Sequence, residues 1–372
     1  MEQLLLNSYM PVKVICGTDC VKNNAEIWRN AGKYCLLVTG KTGAAKCGAL
    51  TDVCGVLDEL NIKYRIYSEI NENPTVESCY NAGMIAREIN ADFIVGIGGG
   101  SALDAAKAVA IFAGNPEFDC KSIYARSVPA RRLPLYLVGT TAGTGSEVTG
   151  VSVLTDTNGF KKSISGADCY SVVSFCDAKY TTTANYNITV STALDAYAHA
   201  LESFFSNTAN NISEIFALQA LKLIWQNLKR LNENKFGSVD ADMRKELYAA
   251  SLYAGLAINV TGTAFPHTAG YILTEIFAVP HGKACTAFHP QLLDKAEKYR
   301  PEKFRTVCEL FKTDKNGING VIGSLTDVHI CITREDAESY CDRWTTAVKN
   351  FDRSPGGYTP VEAVEGLLLL AD

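Results

Sequence analysis

The sequence has no C-x-x-C pair, no basic run, and no apolar stretch of the roughly 20 residues needed to cross a bilayer. Each absence removes a class of function. Its 13 cysteines are scattered and odd in number, which fits reduced thiols in a cytoplasmic protein better than a disulfide framework. Net charge is −5, so nucleic acid is not an expected partner. The opening stretch MEQLLLNSYMPVKV lacks a basic n-region and a long apolar core, so it does not read as a secretory signal. There is no internal repeat and no low-complexity segment. Histidine is scarce, with five in 372 residues. What remains is an ordinary apolar fraction in a chain long enough for two or three domains and a large core.

The first half alternates between two patterns. Val12 to Ile15 reads as a short strand and Asp19 to Ala31 as a helix. Tyr34 to Thr39 is a continuous apolar run, the mark of a strand buried on both faces. A helical stretch then runs to about Leu60, a strand covers Lys63 to Tyr67, Val76 to Asn90 is helical, and Asp92 to Ile97 is another buried strand. Strands alternating with helices predict an α/β unit with a parallel, doubly wound sheet. Loop-forming residues crowd Phe175 to Thr189, and beyond Ser191 no strand pattern appears. The expected organisation is an α/β unit over 1–180 followed by an all-helical unit over 181–372.

Two loops carry chemistry in the first half. The strand DFIVGI runs into Gly98-Gly99-Gly100-Ser101 and then into a helix. A strand, a glycine turn and a helix make a phosphate site: missing side chains let the backbone approach, and the helix N-terminus offers free N–H groups. This is not the Rossmann G-x-G-x-x-G spacing. Ser101 and Asp104 also have the spacing of a capping box, whose role is simply to start the helix. After the apolar run Leu133 to Val138 comes Gly139-Thr140-Thr141-Ala142-Gly143-Thr144-Gly145-Ser146, a second polar cradle for phosphate or ribose, or else a flexible turn. Two cradles at the strand ends of one sheet fit a dinucleotide lying across the crevice.

The second half holds the histidines. Asp195 and His199 are four apart in a helix-favouring run, so their side chains share one face. His267 and His281 follow, placed at helix ends or in the connection between helices. One carboxylate and three imidazoles suit Fe²⁺ or Zn²⁺ with positions left open for substrate. Plainer roles exist: Asp195 can serve a helix start as the acidic partner of Thr192, and a D-x-x-x-H pair also arises on surfaces. His289 and His329 read as structural.

Taken together, GGGSALDAAK, TTAGTGSEVT, DAYAHALE and the histidine pair fourteen apart resemble the iron-containing (group III) alcohol dehydrogenase family, over nearly the whole chain. The stretches VTGKTGAAKCG and ENPTVES join the resemblance, and with them Gly40, Lys41 and Asn73. The resemblance implies an α/β dinucleotide domain, an all-helical domain, and a metal meeting a nicotinamide in the cleft between them. It implies Asp195, His199, His267 and His281 as metal ligands. It implies Gly98, Gly99, Gly100, Ser101 and Asp104 at the pyrophosphate, and Thr140, Thr141, Thr144, Gly145 and Ser146 along the adenosine and ribose side. Lys162 in FKKS stands where the family has a lysine near the nicotinamide ribose; its neighbour Lys161 is nearly as good a match, and either is equally read as a solvated surface lysine.

Departures from the family pattern matter. Gly40 occupies a position where the family often has an aspartate that bonds the ribose hydroxyls and repels a 2′-phosphate, and Lys41 follows it. NADP(H) is therefore expected to be accepted beside NAD(H); otherwise Gly40 is a turn glycine. Tyr271 lies where several members carry another histidine near the nicotinamide, either lining the pocket or packed in a helix. Cys285 stands where asparagine is common, and Val151 replaces a position that is polar in some members. The expected reaction is metal-assisted hydride transfer between a small aldehyde and its primary alcohol, with a homodimer as the family-level expectation. Alternatives are a glycerol dehydrogenase-like or dehydroquinate synthase-like enzyme, or a non-catalytic scaffold on the same fold.

Overall fold

The computed structural model describes residues 7–125, 130–235, 237, 239–345 and 348–371. The chain forms two compact units, Tyr9–Ala184 and Asn185–Asp372.

The first unit is built on strands β1 (Lys13–Cys16), β2 (Tyr34–Gly40), β3 (Lys63–Ile70), β4 (Phe93–Gly98), β5 (Leu135–Gly139), β6 (Val151–Thr155), β7 (Lys161–Ser165) and β8 (Val173–Cys176). Six of them form one sheet in the order β1-β8-β5-β4-β2-β3, every neighbouring pair parallel. The apolar run of β2 explains itself in this setting. Successive strand residues point to opposite faces. Cys35 and Leu37 join a core with Trp28, Phe93, Val95 and the Ala49–Glu59 helix, while Leu36 and Val38 join one with Ile94, Leu137 and the helices Val76–Glu88 and Gly100–Gly114. Helices on both faces make the sheet doubly wound.

The strand order reverses at β2. From β2 the chain crosses to β3 on one side, and from β3 it returns to β4 on the other. In open α/β sheets, ligands bind beyond the strand C-termini at such a switch point. Gly40 ends β2 and Gly98 ends β4, so the Gly40 turn and the first glycine loop flank it.

Several local expectations need correcting. Asp19 to Ala31 is not one helix. Asp19 has φ of 56° and donates its N–H to Asp177 Oδ2 at 2.6 Å, which keeps it out of a helix, and the regular turns are Lys22–Asn24 and Ala25–Arg29. The helical stretch before Leu60 breaks at Gly48, with φ of 85°. The helix-favouring stretch Thr333 to Val348 is not one helix: it holds Arg334–Ser339 and Cys341–Thr345, and residues 346 and 347 lie outside the described residues. The antiparallel hairpin of β6 and β7 has no counterpart in the sequence reading, and Asp156 Oδ1 closes its turn by accepting from Asn158 N and Phe160 N.

The second unit is helical, with principal helices Tyr186–Phe205, Asn211–Glu233, Ala241–Thr261, Phe265–Ile276, His281–Thr286, His289–Tyr299, Pro301–Phe311, Lys315–Thr326 and Pro360–Leu368. The Tyr186–Phe205 helix starts early: the Asn185 side chain caps it by accepting from Ile188 N at 2.9 Å. Thr192 is therefore interior and donates to the Ile188 carbonyl at 3.0 Å. Asp195 starts no helix, and its carboxylate is left for another purpose.

Candidate metal centre and phosphate loops

Three helices bring the centre together, and two glycines set their spacing. Gly282 follows His281, and a Cβ there would lie 1.8 Å from the Ser191 carbonyl oxygen and 2.8 Å from Asp195 N. Only a bare backbone lets the His281–Thr286 helix lie against Tyr186–Phe205. A Cβ on Gly270 would lie 2.8 Å from the Ala284 oxygen, so Phe265–Ile276 closes on the same short helix. Pro266 sits in the first turn of Phe265–Ile276, where its missing N–H costs nothing, and His267 follows it.

The result is a convergence on Asp195 Oδ1. His267 Nε2 is 3.5 Å away, and His199 Nε2 and His281 Nε2 are each 3.8 Å away. The ring of His199 stacks on that of His267 with centroids 4.5 Å apart. Asp195 Oδ1 and His267 Nε2 are buried and make no hydrogen bond. Buried polar atoms without partners are costly unless something else satisfies them. A divalent cation fits: the donors are one carboxylate oxygen and imidazole nitrogens, the set that suits zinc or iron. The nearest-packed donors are those of Asp195, His267, His281 and Cys285, all within 4.8 Å of one another.

Charge points the same way. Burial works to raise the Asp195 pKa, but the imidazoles of His199, His267 and His281 outweigh it and hold the group below the usual carboxylate range. Burial disfavours a protonated His267, yet its acidic neighbours Cys285, Glu202 and Asp195 together push its pKa well above the ordinary imidazole value. The pocket thus demands a positive charge, and a metal ion competes with a proton for that role.

Glu202 was not picked out from the sequence. It is fully buried, one turn beyond His199 on the same helix face, and its Oε1 lies 2.5 Å from His267 Nδ1. Its other oxygen accepts from Ala264 N at 2.7 Å. A carboxylate behind a ligand histidine fixes the tautomer and ring orientation. The signal was present in D-x-x-x-H-x-x-E, with all three side chains on one face at helical spacing. His289 packs against Tyr197 at 5.3 Å, and burial lowers its pKa. Its Nε2 is 3.7 Å from Glu202 Oε1. Tyr271 stacks on His281, centroids 5.8 Å apart and planes 18° apart, and burial pushes its phenol up to about 12.

The glycine loops lie side by side in the α/β unit. Gly98 pairs with Gly139 across β4 and β5, and Thr140 N donates to the Gly98 carbonyl at 2.9 Å. A Cβ on Gly100 would lie 2.5 Å from Thr144 Cγ2, and one on Gly99 would lie 2.8 Å from Thr141 Oγ1. Gly145 takes the left-handed φ of 61° that turns the second loop. The capping box expected of Ser101 and Asp104 is absent. The helix starts at Gly100 with Gly99 as N-cap and no side-chain cap bond, so its first N–H groups are not capped by the N-cap residue. That opening fits a pyrophosphate. Asp104 instead braces the second loop, accepting from Ser146 Oγ at 2.6 Å and Val153 N at 2.9 Å. Fully buried Lys107, also missed from the sequence, donates to Ser146 Oγ at 2.7 Å and to the Val151 carbonyl at 2.6 Å. Asp104 and Ser146 thus serve the shape of the loops, because their side chains are taken up by each other.

Ser101 Oγ accepts from Asn73 N at 3.4 Å, which ties the Asn73 turn to the first loop. Lys41 is exposed beyond Gly40. Lys162 is exposed on β7, its Nζ 4.7 Å from the centre of the Tyr124 ring.

Known proteins agree with this architecture. The family model for iron-containing alcohol dehydrogenase matches residues 11–178, and that for the C-terminal domain of the Fe-containing alcohol dehydrogenase family matches 189–330. A sulfoacetaldehyde reductase of Bilophila wadsworthia is 32% identical over 323 residues, 86% of this chain and 82% of that protein. An NADPH-dependent butanol dehydrogenase of Clostridium saccharobutylicum is 26% identical over 303 residues, 80% of this chain and 76% of that one. The crystal structure of an iron-containing alcohol dehydrogenase from Thermotoga maritima superposes with a TM-score of 0.90 at 32% identity, covering 98% of this chain and 99% of that one. On matched domains, fold and identity alike, the chain belongs to the iron-containing alcohol dehydrogenase family.

Proposed function

We propose that the protein is a metal-dependent, NAD(P)H-linked reductase that interconverts a small aldehyde and its primary alcohol. The observation that carries this reading is the buried convergence of His267, His281 and His199 on Asp195 Oδ1. In it, Asp195, His199, His267 and His281 hold a divalent metal, Fe²⁺ or Zn²⁺. The loops at Gly98–Ser101 and Thr140–Ser146, with Asn73, Lys41 and Lys162, hold the dinucleotide.

A bound ion supplies Lewis acidity, which stabilises the negative charge developing on the carbonyl oxygen. Bound NAD(P)H supplies the hydride. The rest of the work falls to the chain. Asp195 contributes the anionic donor that sets the charge of the centre. Glu202 holds the Nδ1–H of His267, so Nε2 faces Asp195. Tyr271 keeps its phenolic proton at neutral pH, stacks on His281 and serves as the O–H donor to the nascent alcohol. The open N-terminus of the Gly100–Gly114 helix takes the pyrophosphate through backbone N–H groups. Gly40 leaves room and no repelling charge at a 2′-phosphate, and Lys41 offers an attracting one, so NADP(H) is accepted beside NAD(H).

The test is oxidation of NADPH and NADH with a panel of short aldehydes, on protein loaded separately with Fe²⁺ and with Zn²⁺. Metal-dependent oxidation is expected. Bound metal without turnover of any aldehyde would move the reading to a lyase of the wider superfamily.

A further inference from the structure

Cys285 lies one helical turn beyond His281 in the six-residue helix His281–Thr286, so both side chains leave the same face. Its Sγ is 3.7 Å from His281 Nε2 and 3.8 Å from His281 Nδ1. With Asp195, His267 and His281 it completes a set of donor atoms lying within 4.8 Å of one another. Cys285 has no solvent exposure. Two of its partners, Asp195 Oδ1 and His267 Nε2, are buried side-chain atoms that make no hydrogen bond.

Buried cysteines usually behave as small apolar residues. Cys35 and Cys79 do so here, packed into the cores on either side of the sheet. Cys285 differs in its company, which is a carboxylate and two imidazoles. Gly270 fixes it there: a Cβ on Gly270 would lie 3.0 Å from Cys285 N, so the helix bearing His267 presses on the backbone that bears the thiol.

We propose that Cys285 is a sulfur ligand of the metal, an inference that rests on the metal-centre reading above. On binding, the S–H bond gives up its proton to solvent, and the sulfur lone pair forms the bond to the ion, with no change of oxidation state. The centre then holds mixed oxygen, nitrogen and sulfur donors. Soft thiolate favours zinc and cobalt over a purely oxygen and nitrogen site. The thiol also gives the centre an oxidisable ligand.

The experiment loads the full-length protein and its Cys285→Ser and Cys285→Ala variants with Co²⁺, and measures metal content beside the near-ultraviolet spectrum. The wild type is expected to bind one cobalt and show a thiolate-to-cobalt charge-transfer band. Both variants are expected to lose the band while retaining cobalt, and to bind Zn²⁺ about tenfold or more weakly. Stoichiometric cobalt in the wild type with no such band overturns the assignment without recourse to a variant, as does a band that persists in the variants. Wild-type protein that binds no Co²⁺, Zn²⁺ or Fe²⁺ overturns instead the metal-centre reading, and the thiol ligand with it.

Discussion

Glu202 Oε1 stands 2.5 Å from His267 Nδ1, and both side chains are buried across 65 residues of sequence. A carboxylate can only accept, so Nδ1 carries the hydrogen. Any gain or loss of charge at His267 therefore falls on Nε2, the atom that faces Asp195.

Replacing Glu202 by Gln keeps the shape and removes the charge. The ring then loses its strongest orienting partner, and metal affinity is expected to fall about 10–100-fold. Competition against a chelator measures it. Unchanged affinity would show that Glu202 does not support the centre.

The same carboxylate makes the metal-free protein acid-sensitive. Burial works to raise the Glu202 pKa, but His267 and His289 outweigh it and bring the group from the usual 4.5 to about 2. A carboxylate whose folded pKa is depressed contributes stability that is present above the unfolded value and lost as pH falls through the folded one. Chelated protein should therefore lose stability between about pH 4.5 and pH 2. Urea unfolding at stepped pH reads this, and Glu202→Gln should flatten the slope in that window.

His267→Ala removes a proposed metal ligand without touching the glycine loops. Metal content and aldehyde reduction should both be lost, while NAD(P)H binding, followed by nicotinamide fluorescence, stays within about threefold, since the loops lie in the other unit. Full activity in this variant would sink the ligand assignment.

Gly282→Ala places a Cβ 1.8 Å from the Ser191 carbonyl oxygen. Neither backbone can give way cheaply, so a loss of about 1–3 kcal/mol or more is expected, together with weaker metal binding as His281 is pushed from Asp195. Thermal melts of the chelated and metal-loaded protein separate the two effects. An unshifted melt would mean that the helices are not packed this closely.

Gly40→Asp restores a carboxylate at the end of β2. Repulsion of a 2′-phosphate should lower kcat/KM for NADPH by about tenfold or more, the equivalent of about 1.4 kcal/mol, and leave NADH unharmed or improved. Equal effects on both cofactors would make Gly40 a turn glycine only.

Much of the molecule was legible in its sequence because the relevant physics is local. A strand buried on both faces needs an unbroken apolar run, and Tyr34 to Thr39 has one. A phosphate loop needs glycine between a strand and a helix, and Gly98 to Gly100 supplies it. Asp195 and His199 reveal themselves by their spacing of four on a helix. The loss of helix at Asp19 was hidden, because the bond that prevents it comes from Asp177, 158 residues away.

What only the tertiary structure decided is how separate helices meet. Nothing near Gly282 announces that its missing side chain accommodates the Ser191 carbonyl, and nothing near Cys285 announces that Asp195, His267 and His281 place donor atoms beside it. Asp104 and Ser101 have the spacing of a capping box, yet Ser146 and Val153 lie close enough to claim the carboxylate. The sequence by itself determined the buried strands, the glycine loops and the Asp195–His199 pair, since these follow from side-chain type and short periods. Packing between elements distant in the chain decided which side chains share one buried pocket. There, the cost of leaving a polar atom without a partner outweighs any local preference.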